Sequence, residues 1–155
     1  MNTENQLPTR FYESVYILKP NLSEEEQKEF FKKNKSIIES YNGEINHIDS
    51  WGQRYLANEI NKFKRGSYFH MTFQAKSDCV AELERTMRIN DKVLRFHHAK
   101  LDERMSLAKH VEAFHDLLMS SNKRQEEREA KVQARKSAGP MGGGPRKQRK
   151  PAGSN

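Results

Sequence analysis

Basic and aromatic residues alternate closely between Trp51 and Phe73. The segment reads Trp-Gly-Gln-Arg-Tyr-Leu-Ala and later Asn-Lys-Phe-Lys-Arg-Gly-Ser-Tyr-Phe-His-Met-Thr-Phe. Basic side chains neutralise phosphates and flat side chains stack on bases, so this pattern favours an RNA-facing strand pair over a site that turns over a small molecule. Alternating aromatic residues are also typical of a strand in a hydrophobic core. Both interpretations remain open at this point.

Other chemistry finds little support in the sequence. Six histidines occur, at positions 47, 70, 97, 98, 110 and 115. None forms the His-Glu-x-x-His or Cys-x-x-Cys pattern that brings ligands to one metal ion. Cys79 is the single cysteine, so we expect a small buried hydrophobic residue rather than a disulfide. The sequence predicts no catalytic residue, metal site or cofactor.

Residues 11–18 predict a first strand, because they are β-branched or aromatic and are followed by Pro20-Asn21. Both faces of this strand are apolar, which predicts a central strand covered on both sides. One face carries Tyr12, Tyr16 and Leu18, and the other carries Phe11, Val15 and Ile17.

A first helix follows, with a capping box of Ser23 and Glu26, and Gly43 is expected to end it. Residues 44–60 predict a second strand with Ile45 and His47 on one face. Residues 66–75 predict a third strand, joined to the second by a connection over residues 61–65. These two strands should form a hairpin.

Ser77 or Asp78 is expected to cap a second helix, and residues 93–101 predict a fourth strand. The order β-α-β-β-α-β is the split β-α-β arrangement. We therefore predict an α+β, ferredoxin-like domain over residues 10–102, in which two helices cover one face of a four-stranded antiparallel sheet.

Charge divides the chain unevenly. Residues 1–122 hold 18 Lys and Arg against 18 Asp and Glu, whereas residues 123–155 hold 10 against 3. A neutral domain with a cationic extension is typical of a protein that meets a polyanion through that extension. The sequence has no apolar run that could span a bilayer and no secretory signal pattern, so we expect a cytoplasmic protein.

The extension divides into a helix over residues 103–136 and a disordered basic tail over residues 137–155. Residues 1–9 are expected to be a flexible N-terminus. The helix has an apolar stripe, which could dock either on the chain's own sheet or on a neighbouring protein. The stripe consists of Leu107, Val111, Phe114 and Leu118. Farther along the helix, Glu127 is placed to pair with Lys131.

Two blocks of sequence are similar to those of a known family. Trp51-Gly52, Arg54, Leu56-Ala57 and Ile60-Asn61-Lys62 form one block, and Glu84-Arg85-Thr86-Met87-Arg88-Ile89 with Val93-Leu94-Arg95 forms the other. With Tyr12-Glu13 and Pro20-Asn21-Leu22-Ser23, they make the chain resemble the family of the sixth protein of the bacterial small ribosomal subunit. The likeness covers residues 10–103. The chain departs from the family at Asn58-Glu59, where an aromatic residue and a proline are usual, and in its long basic extension.

The resemblance implies a non-catalytic protein of the subunit platform, with a ferredoxin-like fold and no small-molecule substrate. It also implies binding to the central domain of the small-subunit rRNA, together with the eighteenth small-subunit protein.

The candidate site residues combine this resemblance with the physical character of each position. The family presents basic or aromatic groups to RNA at Arg10, Tyr12, Arg54 and Arg95, and the hairpin tip adds Lys62 and Lys64. The tail adds Arg146, Lys147, Arg149 and Lys150. For the protein partner, we expect contact through Val15 and Ile17 and through the apolar stripe of the C-terminal helix.

Two alternative functions fit the same fold. A free-standing RNA-recognition module would place an aromatic residue directly after Gly66, where this chain has Ser67. A small acylphosphatase-like enzyme would need a basic, amide-rich anion loop after the first strand. Residues 19–23 supply only Lys19 and Asn21 for such a loop.

Overall fold

A computed structural model describes residues 8–137 of the chain. Most of the predicted flexible N-terminus and nearly all of the predicted basic tail lie outside this range. The helices and strands are β1 (Arg10–Leu18), α1 (Glu24–Ser40), β2 (Glu44–Ile60), β3 (Phe63–Ala75), α2 (Ser77–Arg88), β4 (Val93–Lys100) and α3 (Leu107–Ser137).

The four strands form one sheet in the order β2-β3-β1-β4, and each neighbouring pair is antiparallel. This topology confirms the predicted ferredoxin-like fold with a C-terminal helix. The central strands are β1 and β3, because each is hydrogen-bonded to a strand on both sides.

The hydrophobic core lies between the sheet and the helices α1 and α2. Alternate residues of β1 are buried, from Tyr12 to Leu18, and alternate residues of β3 from Phe69 to Ala75 join the same core cluster. Tyr16 packs edge-on against Phe30 of α1, with ring centroids 5.5 Å apart. Burial raises the pKa of the Tyr16 hydroxyl. The aromatic residues on this face of β3 are therefore core residues.

The capping box predicted for α1 is present. The Ser23 hydroxyl accepts a bond from the Glu26 amide at 3.2 Å, and the Ser23 amide donates to the Glu26 carboxylate at 2.9 Å. The bond from the Ser23 amide lowers the pKa of Glu26, because it stabilises the charged carboxylate. The reciprocal bonds satisfy two groups that the first helical turn would otherwise leave without partners.

The end of α1 differs from the sequence prediction in detail. The left-handed residue after the helix is Asn42, with φ of 56°, and not Gly43. Gly43 is required for a different reason, which is close packing. A Cβ atom there would lie 2.6 Å from the Gln74 carbonyl oxygen and 2.8 Å from the Ile38 side chain.

The predicted cap of α2 was wrong. Lys76 is the N-cap residue, and no side chain makes a capping hydrogen bond there. Ser77 and Asp78 lie within the first turn, where the Asp78 carboxylate complements the positive end of the helix dipole. Cys79 is fully buried and belongs to the core cluster, and burial raises its pKa to about 11.

The hairpin connection is shorter than predicted. Asn61 and Lys62 form a two-residue turn with φ of 48° and 67°, and Ile60 pairs with Phe63 across it. Left-handed residues at both central positions are typical of a turn that matches the twist of the flanking strands. As a result, β3 begins at Phe63 rather than at residue 66.

Register shifts in β2 alter which residues share a face. The pairing skips Asn46, so that Ile45 pairs with Phe73 and Ile48 with Met71 on the core side of the sheet. His47 pairs with Thr72 and therefore lies on the opposite face, although strict alternation had placed it with Ile45. A second shift skips Trp51, which lies between Ser50 and Gly52.

The chain divides into two compact units, and the boundary along the sequence falls between Glu112 and Ala113, inside α3. Helix α3 begins at Leu107, after a turn over residues 103–105. None of its residues is buried. Within residues 8–137, no helix combines the length and the apolar character needed to cross a membrane.

His98 lies on the core side of β4 among aromatic rings. Its Nδ1 atom makes a short hydrogen bond with the Ser14 hydroxyl, and its ring lies 5.7 Å from Tyr16 and 5.5 Å from Phe96. Burial lowers the pKa of His98 to about 4, because the cationic form loses hydration there.

Stability should therefore fall as the pH is lowered from about 6.5 towards 4. The unfolded chain binds a proton at His98 across this range and the folded chain does not. We expect a loss of about 1–3 kcal/mol from this residue, after allowance for its partial exposure. Urea unfolding at a series of pH values would measure the loss. His98→Gln should flatten the dependence, while the exposed His115→Gln should not, and equal profiles for all three proteins would contradict the assignment.

Alanine and asparagine should rank in opposite orders as replacements for Gly43 and for Gly52. Gly43→Ala should lower the free energy of unfolding by about 1–3 kcal/mol through overpacking, and Gly43→Asn should cost more. At Gly52, φ is +70° and nothing lies within 4 Å of an added Cβ. Gly52→Ala should therefore cost about 1 kcal/mol through backbone strain alone, and Gly52→Asn should cost less. Thermal or urea unfolding of the four variants would test this, and the same rank order at both positions would contradict it.

Candidate functional site

The candidate site is the sheet face opposite α1 and α2, which we call the outer face. Directly paired residues of antiparallel strands point to the same face, so the register identifies its members. Val15 of β1 lies opposite His70 and His97, and Ile17 lies opposite Tyr68 and Arg95. Val15 and Ile17 are half-buried, so this face offers an apolar centre that is only partly covered.

Four side chains form a continuous stack on the outer face of β2, β3 and β1. The Trp51 ring lies nearly parallel to the His70 ring, with centroids 5.7 Å apart and planes 22° apart. The Arg54 guanidinium lies 5.8 Å from the Trp51 ring centroid. At the other end, His70 Nε2 lies 3.5 Å from the Glu13 carboxylate. We call the set Arg54, Trp51, His70 and Glu13 the outer-face stack.

Burial within this stack is deep for a sheet surface. His70 is 2% exposed and Arg54 is 8% exposed. Burial lowers the pKa of Arg54, and it raises the pKa of the nearby Tyr68 hydroxyl. Arg54 Nε also donates to the Trp51 carbonyl oxygen at 3.4 Å. These contacts hold the Arg54 side chain against the sheet.

Gly66 allows β1 and the hairpin to pack closely on the outer face. A Cβ at this position would collide with the Ile17 side chain and would lie 3.5 Å from that of Leu56. The absence of a side chain at Gly66 therefore leaves the space that Ile17 occupies.

The strands β2 and β3 extend beyond the end of β1, because β1 stops at Leu18 opposite Ser67. We call residues 54–66 the hairpin arm. Lys62 and Lys64 are exposed on it. On its other face, the Arg65 guanidinium lies 3.9 Å from the ring centroid of Tyr55, which is 53% exposed. The arm therefore presents two exposed lysines together with an aromatic ring that carries a cation.

The predicted RNA residues fall at two ends of the sheet. Arg54, Lys62 and Lys64 belong to the hairpin arm, and Arg95 is exposed on β4 opposite Ile17, near the same end. Arg10 lies at the other end and makes an ion pair with Glu103 at 2.9 Å. The structure therefore places the first four towards one end of the sheet and Arg10 at the other.

Tyr12 is not available for stacking on a base. It is 8% exposed and packs against the Phe73 ring, with centroids 5.6 Å apart, on the core side of the sheet. The expectation that it presents an aromatic surface to RNA was wrong, because position 12 shares its face with Tyr16 and Leu18. Arg54 needs a similar correction, since its largely buried guanidinium supports Trp51 rather than extending into solvent.

The remaining predicted residues lie on α3 or beyond it. Leu107, Val111, Phe114 and Leu118 are each half-buried on α3. Arg146, Lys147, Arg149 and Lys150 lie outside the described residues. Among residues 8–137, no group of three or more His, Cys, Asp or Glu side chains could hold a metal ion.

The outer-face stack and the Tyr55–Arg65 pair were not predicted from the sequence. The signal for the stack was present in Trp51-Gly52, since a glycine after an aromatic residue in a strand pattern is a sign of a bulge. The signal for the Tyr55–Arg65 pair was hidden, because the hairpin turn had been predicted as a longer loop.

Comparison with known proteins identifies relatives. A family model for ribosomal protein S6 matches residues 11–100. Small ribosomal subunit protein bS6 of Bdellovibrio bacteriovorus is 56% identical over 114 residues, which cover 74% of this chain and 75% of the relative. The protein of the same name from Helicobacter acinonychis is 45% identical over 115 residues, covering 74% of this chain and 78% of the relative.

A solved structure agrees with these relatives. The crystal structure of 30S ribosomal protein S6 from Thermotoga maritima superposes with a TM-score of 0.56 at 29% identity, and it covers 76% of this chain and 99% of that chain. The similarity also continues past the sheet. A match of 114 residues in a chain of 155 must include residues 42–114, and therefore the first two turns of α3.

Proposed function

The chain belongs to the ribosomal protein S6 family and is a structural component of the small ribosomal subunit, and on this premise we propose that it binds the central domain of the small-subunit rRNA jointly with the eighteenth small-subunit protein. Its work is assembly rather than catalysis. We infer that it acts on the ribosome, in the cytoplasm.

The observation that carries the proposal is an apolar face next to a basic end. Val15 and Ile17 lie half-buried at the centre of the outer face. Lys62 and Lys64 are exposed on the hairpin arm, and Arg95 is exposed beside Ile17. A partner that covers the apolar centre would complete a surface whose rim is cationic, which suits joint binding of RNA.

We assign a different binding partner to each of the two parts of this surface. The apolar centre carries no charge that could recognise phosphate, so we assign it to the protein partner. The exposed lysines of the hairpin arm carry the positive charge that a phosphate attracts, so we assign them to the rRNA backbone. Arg95 is exposed and is paired with Ile17 in the register of β1 and β4, so we assign it to the border between the two parts.

Val15→Asp should weaken binding to the eighteenth small-subunit protein at least about tenfold, because a carboxylate would be buried in an apolar contact. Isothermal titration calorimetry with the purified partner would measure the change, and circular dichroism would check the fold.

The matched control is Ile89→Asp, which places the same charge at an apolar residue that is 70% exposed after α2. The control should bind like the wild type. Equal weakening by both substitutions, or by neither, would remove the outer face from the interface.

The double variant Lys62→Asn/Lys64→Gln should reduce the salt dependence of rRNA binding. Asparagine is chosen at position 62 because it tolerates the left-handed backbone there. Loss of two phosphate contacts should lower the magnitude of the slope of log K against log salt by about 1–2. The control Lys32→Gln/Lys33→Gln removes two exposed charges from α1 and should leave the slope unchanged. A slope unchanged in both variants would exclude the hairpin arm from RNA contact.

A further inference from the structure

The second half of α3 carries a basic stripe of four residues. Arg124, Arg128, Lys131 and Arg135 are spaced by four, three and four residues. In a helix of 3.6 residues per turn, this spacing places all four within an arc of about 60°. The stripe runs along about 16 Å of the helix. All four side chains are exposed.

Acidic residues are largely sorted away from this stripe. By helical periodicity, Glu126 and Glu129 lie on the far side of α3. The Gln125 amide donates to the Glu129 carboxylate at 3.3 Å, which holds that acid on its own side. Glu127 lies on the flank of the stripe, at the spacing that would let it pair with Lys131.

That pairing does not occur. Within residues 8–137, none of the four stripe residues makes an ion pair, and the predicted Glu127–Lys131 contact is absent.

On the other helices several basic residues pair with an acid one turn away, although the exposed Lys28 and Lys32 of α1 make no ion pair within residues 8–137. On α2, Arg85 pairs with Glu82 at 2.8 Å and Arg88 pairs with Glu84 at 3.2 Å, and on α1 Lys35 pairs with Glu39 at 3.6 Å. The stripe on α3 has like charges at those same spacings, and they repel one another in the free protein. A row of cations without acidic partners, at this helical spacing, binds favourably to a row of anions.

We propose that Arg124, Arg128, Lys131 and Arg135 form a binding surface for the phosphate backbone of small-subunit rRNA. The choice of RNA as the polyanion rests on the proposed function, whereas the stripe itself rests on the geometry of α3. Phosphates would neutralise the mutual repulsion of the stripe and would release counterions, so binding stabilises the helix as well as the complex. The stripe belongs to α3, whereas the hairpin arm belongs to the sheet.

The test compares two matched double variants of the full-length protein. Arg128→Gln/Lys131→Gln removes two charges from the stripe. Lys123→Gln/Lys136→Gln removes two charges from other sides of the same helix. Glutamine keeps a high helix propensity, and circular dichroism would verify that helix content is retained. A third variant, Arg128→Lys/Lys131→Arg, keeps the charge and should behave like the wild type.

Binding to central-domain rRNA in the presence of the protein partner would be measured from about 50 to 200 mM salt. We expect the stripe variant to lower the magnitude of the salt slope by about 1–2, with no change in the off-stripe control. Equal reductions in both would indicate only a long-range effect of net charge and would overturn the stripe. An unchanged salt slope in both variants would also overturn the proposal. So would a stripe variant that loses binding to anionic lipid vesicles but binds rRNA like the wild type.

Failure of the proposed function would look different. The wild-type protein with its partner would then not bind central-domain rRNA even at low salt. In that case the same variants would be compared on whole small-subunit rRNA, where a slope change confined to the stripe variant would support the inference by itself.

Discussion

The two-sided pairing of β1 is the constraint on which the rest of this structure depends. Because β1 hydrogen-bonds to β3 on one edge and to β4 on the other, its residues are fixed in register with strands that lie far away in the sequence. Because side chains alternate along a strand, Tyr12 and Tyr16 lie on the core face, while Val15 and Ile17 lie on the outer face. A shift of one residue would exchange these two sets, so the same pairing that builds the core also presents the candidate interface.

The outer face is organised by a bulge rather than by regular pairing. The bulge at Trp51 places an aromatic ring over His70 and brings Arg54 against that ring. A regular strand would have put Trp51 or Arg54 on the wrong side of the sheet. The bulge thereby fills one part of the outer face from within the chain and leaves the region around Val15 and Ile17 as the part that another protein can cover.

Much of the fold followed from local sequence signals, and the misses have more than one cause. The faces of β1, the capping box at Ser23 and the order of the elements depend on periodicity and on contacts between near neighbours, which sequence patterns record directly. The bulges in β2 depend on packing between distant segments. The alternation in β1 did place Tyr12 with the core residues, and only the family resemblance suggested that it meets RNA. The stripe on α3 can be recognised from residue spacing alone. Its interpretation as a binding surface depends on the structure, in which none of its residues makes an ion pair within residues 8–137.

Cys79 has a practical consequence. Its thiol is fully buried at the start of α2, and its pKa is raised to about 11, so little thiolate exists at neutral pH and no reagent can reach it in the closed structure. A thiol reagent can therefore react with Cys79 only after α2 has separated from the sheet. The rate of labelling therefore reports how often the core opens, and this natural probe needs no engineered tag.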